Sequence, residues 1–213
     1  MNVFIKRILD GIARGLPGTD VQWEMASSDR MVRNLPRIRA ADSTLGAVLV
    51  LLFPCRGSYH TVFIQRPEYN GVHSGQIGFP GGKMEKSDQS LTETALREAC
   101  EETGICQDEL TPIGKLTPLY IPVSNIEVTP VVGYIDHRPR FRLRKEEVVY
   151  TIEADLCSFL DRSIVREKPM EVRGELLNVK YYDYNSHVIW GATAMILHEL
   201  LVIAEREGIT FQV

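Results

Sequence analysis

Three glutamates, Glu98, Glu101 and Glu102, are spaced so that a helix would present them on one face. At roughly 100° per residue they fall within about 100° of one another around the helix axis. Glu98 and Glu102 are four residues apart, a spacing at which like charges repel each other. A divalent cation such as Mg²⁺ or Mn²⁺ would remove that repulsion, because such cations prefer carboxylate oxygens. A solvated acidic face is the alternative interpretation.

A glycine pair upstream of this helix favours the metal site. Gly81–Gly82 has no Cβ atoms, so a backbone carbonyl there could approach a cation that the glutamates hold. The helix itself has recognisable ends, because Ser90 and Glu93 form a capping box and Gly104 suits a left-handed C-terminal cap. We therefore predict that the metal ligands are Gly82 and the three carboxylates of Glu98, Glu101 and Glu102.

Residues 82–105 resemble the Nudix box, G-x5-E-x7-R-E-U-x-E-E-x-G-U, in which U is an apolar residue. Its second half matches at every specified position, from Arg97 to Ile105. In the first half, counting forward from Gly82 puts Asp88 in the acid position, whereas counting back from Arg97 puts Gln89 there. The resemblance implies an α+β fold, with a mixed β-sheet between α-helices. It also implies metal-dependent hydrolysis of a nucleoside diphosphate linked to another group.

The longer spacing is similar to that of the coenzyme A pyrophosphatase branch of this family. That branch has G-G-K-x-(D/E)-x-x-D, which residues 81–88 fit, followed by T-A-L-R-E-A, which residues 94–99 fit. Residues 73–82 also fit the branch's H-x-G-Q-x-x-F-P-G-G, although Asn70-Gly71 replaces its preceding Leu-Arg pair. The resemblance implies that the substrate is coenzyme A or an acyl-CoA. The products would be 3′,5′-ADP and 4′-phosphopantetheine or its acyl form.

The resemblance also implies roles for individual residues. Arg97 would brace the loop and the glutamates instead of touching the substrate, and Glu93 is one available partner. Glu147 is the candidate general base, because several relatives place an acid on a loop beyond the main sheet, and a solvated loop acid is an equal alternative. The predicted catalytic set is therefore Arg97, Glu98, Glu101, Glu102 and Glu147. The predicted substrate-binding residues are Arg66, His73, Gln76, Gly81 and Gly82.

Two other functions compete with coenzyme A hydrolysis. Within the same chemistry, the substrate could be ADP-ribose or an NAD-type dinucleotide. From a different class, the chain could be a catalytically silent Nudix domain that binds nucleotides. Coenzyme A carries a 3′-phosphate that arginine would recognise well. Arginines are available in two clusters, which are Arg30, Arg33, Arg37 and Arg39 in one and Arg138, Arg140, Arg142 and Arg144 in the other.

Composition is that of an ordinary globular protein of 213 residues, with 44% hydrophobic residues, 24% charged residues and a net charge of −4. That charge argues against a nucleic-acid partner, and no apolar run reaches the roughly 18 residues of a membrane helix. Residues 2–16 do not form a signal-peptide core, so we expect a cytoplasmic protein. Its partner would be a small nucleotide, and a homodimer is one option. The four cysteines are expected as reduced, buried thiols.

We predict one Nudix domain over residues 1–213, with an N-terminal helical extension over about 1–40. An amphipathic helix is predicted at residues 2–14 and an irregular segment at 17–44. The predicted strands are residues 47–53, 59–65, 113–119, 127–135, 163–172 and 175–182, with a turn at Arg173-Gly174 between the last two. Residues 138–147 are expected to form a charged loop, and residues 192–205 a final helix.

Overall fold

The computed structural model describes residues 2–28, 36–172 and 174–213. The α-helices with described bounds are α1 Val3–Ala13, α2 Thr19–Trp23, α3 Leu91–Thr103 and α4 Gly191–Arg206. The strands are β1 Thr44–Cys55, β2 Ser58–Gln65, β3 Ile77–Gly78, β4 Gly81–Lys83, β5 Thr111–Lys115, β6 Leu119–Ile121, β7 Ile126–Tyr134, β8 Tyr150–Asp155, β9 Val165–Val172, β10 Glu175–Tyr184 and β11 His187–Trp190. Short 3-10 helices cover Pro122–Ser124, Leu156–Leu160 and Arg162–Ile164.

The main sheet is mixed and is organised around β1. Its strand order is β3-β2-β1-β7-β5, and β4, β6 and β8 pair with β1, β7 and β2 respectively. β1 and β7 run parallel over nine residue pairs, whereas the other pairings are antiparallel. The remaining strands form a separate antiparallel sheet in the order β11-β10-β9. The predicted α+β fold with a mixed sheet is confirmed.

The apolar run of β1 is buried on both faces of the sheet. Val50 and Leu52 belong to a core that includes residues of α1 and α4. Leu49 and Leu51 point to the opposite face, where they pack with Leu96 of α3. Alternation along the strand therefore assigns one set of side chains to each helical layer. This explains why β1 reads as a continuous hydrophobic segment and why the sheet lies between helices.

One buried carboxylate links the start of α2 to the core, in addition to the apolar side chains of the N-terminal segment that pack there. Glu199 of α4 is fully buried, and its oxygens accept hydrogen bonds from Gly18 N at 3.1 Å, Gln22 Nε2 at 2.9 Å, Thr117 N at 3.1 Å and Thr117 Oγ1 at 2.5 Å. These donors satisfy a charge that would be costly to bury alone. The segment 17–44 is therefore less irregular than predicted, because it contains α2. Arg30 and Arg33 lie outside the described residues.

Other predicted elements differ from the structure in their bounds or in their number. The predicted strand 113–119 is two strands, β5 and β6, which both pair with β7; between them Leu116 N donates a hydrogen bond to Pro130 O of β7. β8 lies beyond the predicted charged loop and was not predicted at all. The bounds of the first and last helices, by contrast, agree with prediction within a residue. Arg173, in the predicted turn, lies outside the described residues.

The expectation of four reduced, buried thiols is wrong for one pair. Cys100 and Cys106 form a disulfide, with their Cα atoms 4.5 Å apart. The chain turns back between them at Gly104, whose φ of 76° lies in the left-handed region. Cys55 and Cys157 are free and half-buried.

Candidate active site

The helix α3 carries the glutamates and has the predicted caps. Ser90 Oγ accepts a hydrogen bond from Glu93 N at 3.2 Å, and Gly104 N donates to Cys100 O at 2.9 Å. The Glu93 carboxylate accepts from Gln89 N at 2.6 Å, one residue before the N-cap. Glu93 thus reinforces the start of the helix, and the described contacts of Arg97 go to other acids.

Glu98 and Glu102 lie against the glycine pair of β4. Glu102 Oε2 accepts a hydrogen bond from Gly81 N at 2.8 Å. The Glu98 carboxylate lies so close to Gly82 that a Cβ there would be 2.5 Å from its carbon and Oε1. A side chain at position 82 would therefore displace Glu98, and the absence of one lets both carboxylates reach adjacent peptide groups.

The two glycine carbonyls face different ways. Gly82 O lies 2.6 Å from where a Cβ of Gly46 would be, so it faces β1. Gly81 O accepts a hydrogen bond from Arg66 Nη2 at 2.9 Å, and Arg66 Nη1 lies 3.6 Å from Glu102 Oε1. The carbonyl that shares a cationic partner with Glu102 therefore belongs to Gly81. The sequence pattern pointed to Gly82 because it cannot show which peptide of the pair faces the helix.

The structure gives the upstream acid position to Asp88. Its Oδ1 and Oδ2 accept from Arg97 Nε at 2.9 Å and Arg97 Nη2 at 3.0 Å, and Oδ2 also accepts from Glu85 N and Thr94 Oγ1, each at 2.9 Å. These bonds, those from Arg97 first, hold the pKa of Asp88 well below its usual value. Asp88 therefore fixes the guanidinium of Arg97, which Gln89 does not contact in the described structure.

Arg97 links the loop to the acidic face of α3. Its Nη2 donates to Lys83 O at 3.0 Å, and its Nη1 lies 3.0 Å from Glu98 Oε1 and 3.5 Å from Glu101 Oε2. The side chain of Glu101 is 43% exposed, compared with 16% for Glu98 and 2% for Glu102. The structure thus brings Glu98 and Glu102 together at the glycine pair and leaves Glu101 at the surface, paired with Arg97.

Glu147 lies on the loop that crosses the end of α3. The loop is held there by Arg142 N, which donates to Thr103 O at 2.7 Å, and by Arg144 N, which donates to Glu102 O at 3.2 Å. Glu147 is half-exposed and its carboxylate lies 3.1 Å from Arg144 Nη1. Burial is the main cause of the raised pKa of Glu98 and Glu102, and the negative charge of Glu147 adds to it, so Glu147 lies near enough to act on the same acidic centre.

Burial makes it costly for Glu98 and Glu102 to carry negative charges at the same time. Burial raises the pKa of Glu102 to about 7; Arg66 and the Gly81 N–H oppose this shift, whereas Glu98 and Glu147 add to it. Burial also raises the pKa of Glu98, against the effect of Arg97. Hard oxygen donors that repel one another suit a divalent cation. Within the described ranges, however, no three acidic, histidine or cysteine side chains already converge as a metal cage.

The raised pKa of Glu102 predicts a pH-dependent stability of the metal-free protein. A folded-state pKa above the ordinary 4.5 means that the folded protein binds this proton more tightly, so the contribution of Glu102 to stability is greatest below pH 4.5 and is lost as the pH rises to about 7. The pKa of Asp88 is shifted in the opposite direction, so the contribution of Asp88 to stability is lost only as the pH falls below 3.8. Urea unfolding in EDTA should therefore show a decline from pH 4.5 to pH 7 that is clearly smaller in Glu102→Gln. Equal declines in both proteins would contradict the assignment.

A cavity of about 800 Å³ opens beside the glycine pair. Its polar end contains the predicted substrate-binding residues together with Lys83. At this end, His73 Nδ1 lies 3.2 Å from Gln76 Oε1 and His73 Nε2 lies 3.4 Å from Ser124 Oγ. Burial lowers the pKa of His73. The rest of the lining is mainly apolar and comes from both sheets and α4; it includes Val48, Phe79, Val128, Val172, Leu177 and Ile196. The cavity therefore joins a polar site to an apolar one.

Sequence reasoning missed the far wall of this cavity. Val172 of β9, Leu177 of β10 and Trp190 of β11 all line it, although nothing in the family motif covers them. Their strands were predicted in part, but their approach to the glycine loop is a long-range contact that no local pattern reports.

In the described part of the chain, no helix is both long and apolar enough to cross a membrane.

Residues 44–187 match the family model described as the NUDIX domain. The chain therefore belongs to the Nudix family, and it is a Nudix hydrolase. It is 33% identical over 174 residues to "Uncharacterized Nudix hydrolase NudL" of Pectobacterium atrosepticum, covering 80% of this chain and 89% of that protein. The protein of the same name from Yersinia pestis is 36% identical over 163 residues, covering 76% and 80%. The Nudix hydrolase RenU from M. smegmatis shares the fold, with a TM-score of 0.55 at 13% identity over 81% of this chain and 96% of that one.

Proposed function

We propose that this protein hydrolyses the diphosphate linkage of coenzyme A or an acyl-CoA in a reaction that depends on Mg²⁺ or Mn²⁺. The observation that carries the chemistry is the pair of carboxylates, buried Glu102 and half-buried Glu98, set against Gly81–Gly82 at the polar end of a large cavity. A binding module would gain nothing from two adjacent acids whose pKa values are both raised, mainly by burial. This argues for catalysis over the silent nucleotide-binding alternative.

The donor set fits a hard divalent cation. Glu98 and Glu102 would hold it together with the Gly81 carbonyl, and Glu101 would complete the acidic face predicted from the sequence. When bound, such a cation neutralises the diphosphate and lowers the pKa of a water molecule. The buried position of Glu102 supports this assignment, because among the described residues its carboxylate otherwise has only the Gly81 N–H and a longer contact to Arg66.

The other residues of the site have separate tasks. Glu147 accepts the proton of the attacking water, since it faces the acidic centre from a different loop and keeps a half-exposed carboxylate. Arg97 is a positioning residue, because Asp88 and Lys83 O fix its guanidinium away from the cavity. Arg66 and Lys83 supply positive charge to the phosphates, while His73 and Gln76 contact the substrate beyond them.

The apolar part of the cavity supports coenzyme A over ADP-ribose or an NAD-type dinucleotide. A pantetheine or acyl arm can bury against Val172, Leu177 and Ile196, whereas a second ribose would have to place several hydroxyl groups against this mainly apolar wall. The branch motif at residues 73–88 supports the same choice. ADP-ribose and NAD-type dinucleotides remain the alternative within this chemistry. A single domain, a cytoplasmic location and a homodimer stay predictions.

If coenzyme A is the substrate, dephospho-coenzyme A should be cleaved less efficiently. It lacks the 3′-phosphate, so it loses a charge-assisted contact worth about 1.5–3 kcal/mol, or roughly 10- to 100-fold in kcat/KM. Both substrates can be compared on the wild-type protein with Mg²⁺, using mass spectrometry to identify the products. Equal kcat/KM values would remove the 3′-phosphate from recognition. Cleavage of ADP-ribose but of neither coenzyme would favour the alternative.

A further inference from the structure

Arg66 bridges two oxygen acceptors at the centre of the site. Its Nη2 donates to Gly81 O at 2.9 Å, while its Nη1 lies 3.6 Å from Glu102 Oε1. The other oxygen of Glu102 accepts from Gly81 N, so the peptide and the carboxylate form a compact unit around one guanidinium. A backbone carbonyl and a buried carboxylate are also the kinds of ligand that hard cations prefer.

We infer that Arg66 occupies the place of the divalent cation in the metal-free protein, and that the cation displaces it into the cavity, where it binds the substrate diphosphate. The inference rests on the proposed metal-dependent function and adds an exchange between two cations at one position. Arg66 would thus be a positioning group before metal binding and a substrate-binding group afterwards.

The geometry permits this exchange through a side-chain movement alone. Arg66 follows β2 directly, and its backbone N–H donates to Gln76 O at 3.0 Å, so the main chain is held at this point. The side chain is 27% exposed and already forms part of the cavity lining. Rotation of the guanidinium therefore moves it from Glu102 into the space where a diphosphate would lie.

Charge explains why the two cations exclude each other. A guanidinium has only donors, so it competes with a metal ion for the lone pairs of Gly81 O and Glu102. In either state Glu102 keeps a cationic partner, which avoids an unpaired buried carboxylate. Arg97 cannot exchange in the same way, because Asp88 and Lys83 O hold its guanidinium through three hydrogen bonds.

The test is the affinity for Mn²⁺ without substrate, measured by calorimetry and by loss of the free Mn²⁺ signal in electron paramagnetic resonance. Arg66→Ala should bind Mn²⁺ at least about fivefold more tightly than the wild type, because the competing cation is gone. Arg66→Met, which keeps a long side chain but has no donor for Gly81 O, serves if the alanine variant does not fold. Arg166→Ala is the matched control, because it removes the same charge from an exposed pair with Asp183 and should leave the affinity unchanged.

Two results would overturn the inference. Unchanged or weaker Mn²⁺ binding in folded Arg66→Ala or Arg66→Met would show that Arg66 does not hold the cation position. A gain of equal size in Arg166→Ala would show a general charge effect instead of displacement. Either of these leaves the proposed function standing, since the wild type would still bind metal. Absence of Mn²⁺ binding in every variant would contradict both the inference and the proposed function.

Discussion

Replacing Glu98 or Glu102 with glutamine is expected to lower kcat by at least about 10²-fold. On the proposed function, each change would remove an anionic ligand from the cation that activates water, while it keeps the size of the side chain. Hydrolysis of coenzyme A at saturating Mg²⁺, measured for each purified variant, checks this directly. Full activity of either folded variant would contradict the metal assignment.

Glu93→Gln is the matched control on the same helix. Glu93 accepts a hydrogen bond from Gln89 N near the start of α3, and a glutamine can accept the same bond. Its activity should therefore equal that of the wild type. Folding should survive in the two test variants as well, because they relieve repulsion at the acidic centre. In Glu102→Gln the side-chain amide oxygen can still accept the hydrogen bond from Gly81 N.

Leu177→Asp is expected to lower kcat/KM for hexanoyl-CoA by about 10²-fold. Leu177 lines the apolar part of the cavity, and a carboxylate there would either be buried without a partner or draw water into the space that an acyl arm should fill. The loss should appear mainly in KM, because in the proposed complex the reacting diphosphate would lie at the other end of the cavity.

Leu176→Asp is the control for this substitution. Leu176 precedes Leu177 on β10, but it is 76% exposed and does not line the cavity, because neighbouring side chains on a strand point to opposite faces. It introduces the same charge next to the test position and should leave kcat/KM within about twofold. Equal losses in both variants would contradict an acyl site at this wall.

The parts of the site that depend on local spacing could be predicted from the sequence. The caps of α3 follow from Ser90 and Gly104, and both occur as expected. The apolar run of β1 predicted an interior strand, and its side chains pack on both faces of the sheet. These features are determined by neighbours within a few residues, which is the range over which a sequence pattern carries information.

Features that depend on register could not be predicted. Counting from either end of the family motif left Asp88 and Gln89 as competing candidates, and only the bonds to Arg97 distinguish them. The orientation of each glycine carbonyl likewise depends on how β4 pairs with β1. One residue of slippage changes which peptide faces the helix, so residue type alone could not decide between them.

Contacts between residues that are far apart in the sequence could not be predicted either. The wall made by β9–β11 meets the glycine loop across about one hundred residues, and β8 has no pattern that separates it from the charged loop before it. The Cys100–Cys106 disulfide was missed because the default for four unpatterned cysteines is the reduced state. The left-handed turn at Gly104, which was predicted, brings the two thiols together only if the chain after Ile105 folds back.

We propose that Glu98 and Glu102 hold the metal ion on which cleavage of the coenzyme A diphosphate depends. The most direct test is hydrolysis of coenzyme A, ADP-ribose, NADH and nucleoside triphosphates with Mg²⁺, with Mn²⁺ and with EDTA, followed by identification of the products by mass. We predict 3′,5′-ADP and 4′-phosphopantetheine from coenzyme A with either metal, as the most efficient reaction, and no product in EDTA. Undiminished cleavage in EDTA, or no cleavage of any diphosphate with either metal, would contradict it.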